Sequence, residues 1–119
     1  MTRWLVDGSN VVGARPDGWW RDRPGAFARL AAHLDAFARA TGDEVTVVFD
    51  GSPPAGGWTS VEVVAAPSAD DRMVELAAVD PDPSSITAVT SDRELAARLR
   101  AVGTEVAGAG SFRRRLDGG

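Results

Sequence analysis

The sequence predicts an α/β fold, a three-layer sandwich on a mostly parallel five-stranded sheet. Short apolar or β-branched runs alternate with segments of helical periodicity along the whole chain, the pattern of successive strand–helix units. Several of those runs end in an aspartate set among turn residues. The chain has 119 residues, 44% hydrophobic and 25% charged, the size and balance of a single globular domain over residues 1–119.

Trp4-Leu5-Val6 reads as a buried first strand running into the turn cluster Asp7-Gly8-Ser9-Asn10. Residues 11–23, rich in Gly, Pro, Trp and Arg, read as a loop. A helix is expected from Pro24, since proline's fixed φ and missing N–H suit a first turn. Phe27, Leu30, Ala31, Leu34, Phe37 and Ala38 then share one face, and Gly42 stops the helix. Glu44 to Phe49 is a second strand, ending in Asp50-Gly51. After a loop from Ser52 to Gly57, Val61-Glu62-Val63-Val64 is a third. Ser68-Ala69-Asp70-Asp71 opens a helix through about Val79, and Pro81 and Pro83 break the chain. Ile86 to Thr90 is the fourth strand. Ser91-Asp92-Arg93-Glu94 has the spacing of a capping box, with Ser91 as N-cap, and predicts a helix through about Val102. Gly103 ends it, Thr104 to Ala107 is a weaker fifth strand, and the tail from Phe112 to Gly119 either starts a last helix or frays.

One connection is tight. Only about nine residues join the second and third strands, fewer than a helical crossover uses. At roughly 3.4 Å per extended residue they can still retrace a five-residue strand. A hairpin there would put Asp70 and Asp71 on the wrong edge of the sheet.

Composition excludes several chemistries. The absence of cysteine removes disulfides and thiol catalysis, leaving carboxylates and the lone His33 as metal ligands. His33 lies off the apolar stripe of its helix and is expected at the surface. No apolar span approaches 20 residues and the start resembles no signal peptide, so a soluble cytoplasmic protein with no membrane association is expected. The net charge of -4 runs against the basic footprint of a nucleic-acid binder. All 13 basic residues are Arg, which suits phosphate recognition, although GC-rich codon usage produces the same composition.

Of the 17 acidic residues, 12 are Asp, and their placement carries the functional reading. Asp7, Asp50 and Asp92 stand at or just beyond strand ends, and another strand leads within a few residues to Asp70-Asp71. In an open parallel sheet, ligand sites form outside the carboxyl ends of the strands. Two carboxylates about 5 Å apart at an effective dielectric near 20 repel by about 3 kcal/mol. Such a cluster either raises some pKa values or holds a divalent cation. Hard oxygen donors suit Mg²⁺ or Mn²⁺. The chemistry served is phosphodiester hydrolysis, which needs no protein nucleophile. One Asp after one strand is ordinarily a turn residue or an N-cap; the inference rests on several at one edge.

Four pieces, in order and spanning nearly the whole chain, resemble the NYN branch of the PIN-like ribonuclease superfamily, and most of all its YacP-like members. They are Leu5-Val6-Asp7-Gly8-Ser9-Asn10-Val11-Val12-Gly13, Val47-Val48-Phe49-Asp50-Gly51, Ser68-Ala69-Asp70-Asp71-Arg72 and Thr90-Ser91-Asp92-Arg93. The resemblance implies strand order 3-2-1-4-5 and Mg²⁺- or Mn²⁺-dependent cleavage of RNA, expected to be endonucleolytic. Its implied partners are RNA, with the ribosome or other RNA-processing proteins as further candidates. By motif, Asp7, one or both of Asp70 and Asp71, and Asp92 would bind metal. Asn10 would orient Asp7 or touch substrate, Asp50 would border the site, and Ser91 would support Asp92. The chain is shorter than the family pattern beyond the fifth strand.

Candidate RNA contacts lie in the loop that follows the first motif. Arg15, Trp19, Trp20 and Arg21 offer two aromatic rings for stacking on unpaired bases and two guanidinium groups for phosphates. Closure of the core by one Trp is the competing role. Arg72, beside the acidic pair, is a further substrate contact, and Arg113-Arg114-Arg115 forms a local basic run or a solvated tail.

Rival α/β readings lack a required residue. A phospho-acceptor receiver needs a Lys, a haloacid-dehalogenase-type phosphatase needs Asp where Ser9 stands, and a dinucleotide fold needs Gly-x-Gly-x-x-Gly after the first strand. The competitor from another class is a non-catalytic PIN-like module that binds RNA or protein.

Overall fold

The computed structural model describes residues 1–118, and Gly119, the end of the expected tail, lies outside the described residues. Strands β1 (Arg3–Asp7), β2 (Glu44–Asp50), β3 (Val61–Ala66), β4 (Ile86–Val89) and β5 (Glu105–Ala107) form one sheet in the order β3-β2-β1-β4-β5, every pair parallel. Helices α1 (Gly8–Gly13), α2 (Arg23–Thr41) and α5 (Ala109–Gly118) cover one face, and α3 (Ala69–Val79) and α4 (Arg93–Ala101) cover the other. The expected sandwich and strand order are both present.

Alternation along β1 divides the core in two. Trp4 and Val6 join Val47, Phe49, Phe27, Leu30, Leu34 and Phe112 on the α2 side. Leu5 joins Val48, Ala88, Met73, Leu95 and Leu99 on the α3 side. This two-sided burial is why β1, β2 and β4 read as near-continuous apolar runs.

The connection of residues 51–60 is parallel, as required, and needs no helix. It returns from the end of β2 to the level of Val45, which pairs with Val61. Asp35, a buried residue of α2 that the apolar stripe does not reveal, anchors its end. One carboxylate oxygen of Asp35 accepts from the N–H groups of Thr59 (3.1 Å), Ser60 (2.6 Å) and Val61 (2.9 Å), while the other faces Arg39 at 2.7 Å. Those N–H groups, led by Ser60, hold the Asp35 carboxyl below its ordinary pKa.

Three local expectations are corrected. Residues 11–23 are not a continuous loop: α1 begins directly after β1, and a short 3₁₀ turn covers Trp19–Arg21. The helix α2 starts one residue before Pro24, with Asp22 accepting from the Gly25 N–H at its cap. The N-cap of α4 is Asp92 rather than Ser91: its side chain accepts from the Leu95 N–H at 2.9 Å, because the helix begins one residue later than the capping-box spacing implies. The tail forms α5 from Ala109.

Candidate functional site

Asp7 ends the central strand and is 4% exposed. It also caps α1, its Oδ1 accepting from the Asn10 N–H at 3.4 Å. Helix and strand meet this closely because residue 8 is glycine: a Cβ there would stand 2.5 Å from the Phe49 ring. On the other side, the buried Thr90 hydroxyl donates to Asp7 Oδ2 at 2.9 Å and accepts from the Asp92 N–H at 3.1 Å. Thr90 therefore couples the ends of β1 and β4. Burial, reinforced by the charges of Asp70 and Asp50, pushes the Asp7 carboxyl up to about 6, although the Thr90 and Asn10 hydrogen bonds favour the ionised form.

Asp50 ends β2 with both carboxylate oxygens engaged. Oδ2 accepts from the Ser9 hydroxyl at 3.0 Å, and Oδ1 from the Ala69 N–H at 2.9 Å, which draws the first turn of α3 to the sheet. Asp70, in that turn, is half-buried. Its pKa is raised by burial first, then by Asp92 and Asp50, with Arg98 opposing. Its neighbour faces elsewhere: Asp71 is exposed and paired with Arg98 at 2.9 Å. The helical offset that places Asp70 on the face of Met73 and Ala77 thus carries it toward the acids, and carries Asp71 away.

Asn10 and Ser91 form a second link across the edge. Asn10 Oδ1 accepts from the Ser91 N–H at 2.7 Å, while Ser91 Oγ accepts from the Ala109 N–H at 2.9 Å. Ser91 thereby ties the turn before α4 to the start of α5, and Thr90 gives Asp92 the support expected of Ser91. The role of Thr90 is not visible in sequence, where it reads as the last β-branched residue of a strand.

The candidate RNA contacts disperse. Arg72 pairs with Glu75 on the exposed side of α3, and Arg15 pairs with Asp117 of α5. Trp19 packs against the core, whereas Trp20 is 57% exposed with the Arg21 guanidinium 5.8 Å from its ring centroid. Two cavities flank the acidic edge. One, of about 520 Å³, is lined by Ser9, Asn10, Trp19 and Ser91. The other, of about 550 Å³, lies beside Asp50 against Phe27, Pro53 and Pro54.

The donor set suits a hard divalent cation in kind and in charge, with crowded carboxylates whose ionisation is disfavoured. As the side chains stand, no group of three or more acidic or His residues among those described is close enough to hold a metal ion. Water ligands and carboxylate rotation, usual for Mg²⁺, would have to complete the coordination.

A parallel sandwich of this strand order with aspartates along its carboxyl edge is a nuclease-like fold. The chain is similar to Rae1 (YacP) from Bacillus subtilis. Against a point mutant of that protein the TM-score is 0.83 at 28% identity, covering 99% of this chain and 76% of the other. Against the unmutated protein the TM-score is 0.79, again at 28% identity, over 99% of this chain and 75% of that one. No family model and no curated protein matches the sequence.

Proposed function

We propose that the protein is a Mg²⁺- or Mn²⁺-dependent ribonuclease that cuts RNA at the edge formed by Asp7, Asp50, Asp70 and Asp92. The observation that carries the reading is Asp7, a carboxylate held out of water at the end of the central strand beside two other acids. Its raised pKa supports a role beyond capping α1, since a cap alone gains nothing from like charges nearby. Asp7, Asp70 and Asp92 would hold the ion, which when bound polarises the phosphoryl group and lowers the pKa of the attacking water. Thr90 fixes the Asp7 carboxylate. Asn10, anchored through Oδ1 on Ser91, keeps its amide N–H groups for a phosphate oxygen. Asp50 holds the first turn of α3, and Asp70 with it, against β2. The edge is open, with a cavity on the β2 side and another on the β4 side, so a strand can pass through rather than end there. That arrangement favours internal cleavage.

A non-catalytic RNA- or protein-binding module is the second reading, favoured by the absence of a formed metal cage among the described residues. Mixed RNA incubated with the protein plus Mn²⁺, Mg²⁺ or EDTA separates the two. Cleavage abolished by EDTA and by Asp7→Asn and Asp92→Asn is expected. No cleavage, or cleavage indifferent to all three, leaves the binding module standing.

A further inference from the structure

We propose that the cavity between α1, α2 and α5 is a phosphate subsite for the RNA strand as it leaves the acidic edge; the identity of the ligand rests on the ribonuclease reading. The cavity, about 270 Å³, is walled by Arg15, Asp17, Trp19, Arg29, His33 and Arg113. Within a chain of net charge -4 this gathers three arginines and the histidine on one face. Three of them already surround a single carboxylate. Arg15 reaches Asp117 at 2.6 Å, Arg113 Nε stands 3.4 Å from it and His33 Nδ1 3.9 Å. An anion is therefore accommodated here, and one guanidinium of the cavity, that of Arg29, is left without one. Arg113 Nε is buried and meets Asp117 only as an ion pair at 3.4 Å without hydrogen-bond geometry, and the exposed Arg29 guanidinium has no ion pair among the described residues. Arginine forks match phosphate oxygens in geometry as well as charge.

Position selects the ligand. Trp19 lines both this cavity and the 520 Å³ cavity that contains Asn10 and Ser91, so the two are neighbours beside α1. Asn10 lies in α1 and Arg15 only two residues beyond its end at Gly13, a short reach for single-stranded RNA. An acidic peptide would have the charge but no reason to start at the acidic edge.

The test is binding of a labelled single-stranded RNA oligonucleotide in EDTA, with affinity followed against salt. Arg29→Glu, at an exposed position on α2, is expected to weaken binding at least tenfold, and Arg29→Ala to reduce the salt slope by about 1. Arg100→Glu, on α4 across the sheet, is expected to change affinity less than twofold. Equal losses from Arg29→Glu and Arg100→Glu, no loss from Arg29→Glu, or no RNA binding by the unmodified protein would overturn the subsite. So would Arg29-dependent capture of an acidic peptide in place of RNA. Cleavage with Mn²⁺, assayed separately, keeps the two ideas apart. Cutting by a protein whose RNA affinity ignores Arg29 removes only the subsite, and Arg29-dependent binding without cutting removes only the nuclease.

Discussion

At the amino edge of the sheet, Asp43 accepts from the Thr2 N–H and the Trp4 indole N–H, each at 2.9 Å, and Asp80 takes both terminal nitrogens of Arg3, at 2.6 and 3.1 Å. These donors, the Thr2 N–H first for Asp43 and Arg3 first for Asp80, hold both carboxyls below their ordinary pKa. At the carboxyl edge the same residue type is treated in the opposite way. Asp7 and Asp70 are desolvated among other acids, and both pKa values rise. One end of the sheet uses aspartate to tie chain segments together. The other gathers aspartates that raise one another's pKa, with Arg98 alone opposing at Asp70, an arrangement with a cost in stability.

The sharpest way to break this contrast is Asp7→Asn. Cleavage is expected to fall by about 10²–10³-fold or more, the scale lost when a group that stabilises charge in the transition state is removed. In EDTA the same substitution is expected to stabilise the fold. The folded pKa of about 6 lies above the ordinary carboxyl value, so the folded chain binds this proton more tightly than the unfolded chain. The Asp7 contribution is favourable at low pH and is lost as pH rises from about 4 through 6, reaching a penalty on the order of 3 kcal/mol near neutrality. Melts of both proteins should therefore diverge at pH 7.5 and converge near pH 4. A gap that ignores pH would remove the electrostatic account.

Thr90→Val keeps the shape and deletes the hydroxyl between Asp7 and Asp92. A loss of about 10–100-fold is expected, as for outer partners of metal ligands, read as cleavage rate against Mn²⁺ concentration. Asp70→Asn and Asp71→Asn sharpen the contrast within two adjacent residues. Cleavage should drop strongly for the first and stay near the unmodified rate for the second, whose carboxylate faces Arg98. The smallest effect on chemistry belongs to the amino edge. Asp43→Leu should lower the melting temperature by several degrees while the cleavage rate is retained.

Strand–helix alternation made the layered architecture legible in sequence because periodicity is a local property, while chain reach only permitted the parallel β2–β3 connection and the strand order rested on the family resemblance. Asp7 and Asp50 were legible as strand ends, whereas the sequence leaves the choice between Asp70 and Asp71 open. Less was legible where one residue of offset decides the outcome. Glu94 spaced three residues from Ser91 suggests a cap at Ser91, yet the chain turns helical only after Asp92, which takes one of its carboxylate oxygens for the Leu95 N–H. The α1 helix was hidden by its glycines and by its brevity. Thr90 and Asp35 act through partners distant in sequence, and no local pattern distinguishes them from an ordinary strand Thr and a solvent-facing helical Asp.

The hydrogen bond from Thr90 to Asp7 joins residues 83 positions apart. Its consequence belongs to time. During synthesis the first motif emerges early, but its carboxylate lacks its buried partner until β4 has left the ribosome and docked beside β1. A truncated chain ending before β4 would contain Asp7, Asn10, Asp50 and Asp70 and still lack the assembled edge, so the site cannot be completed until β4 has been made.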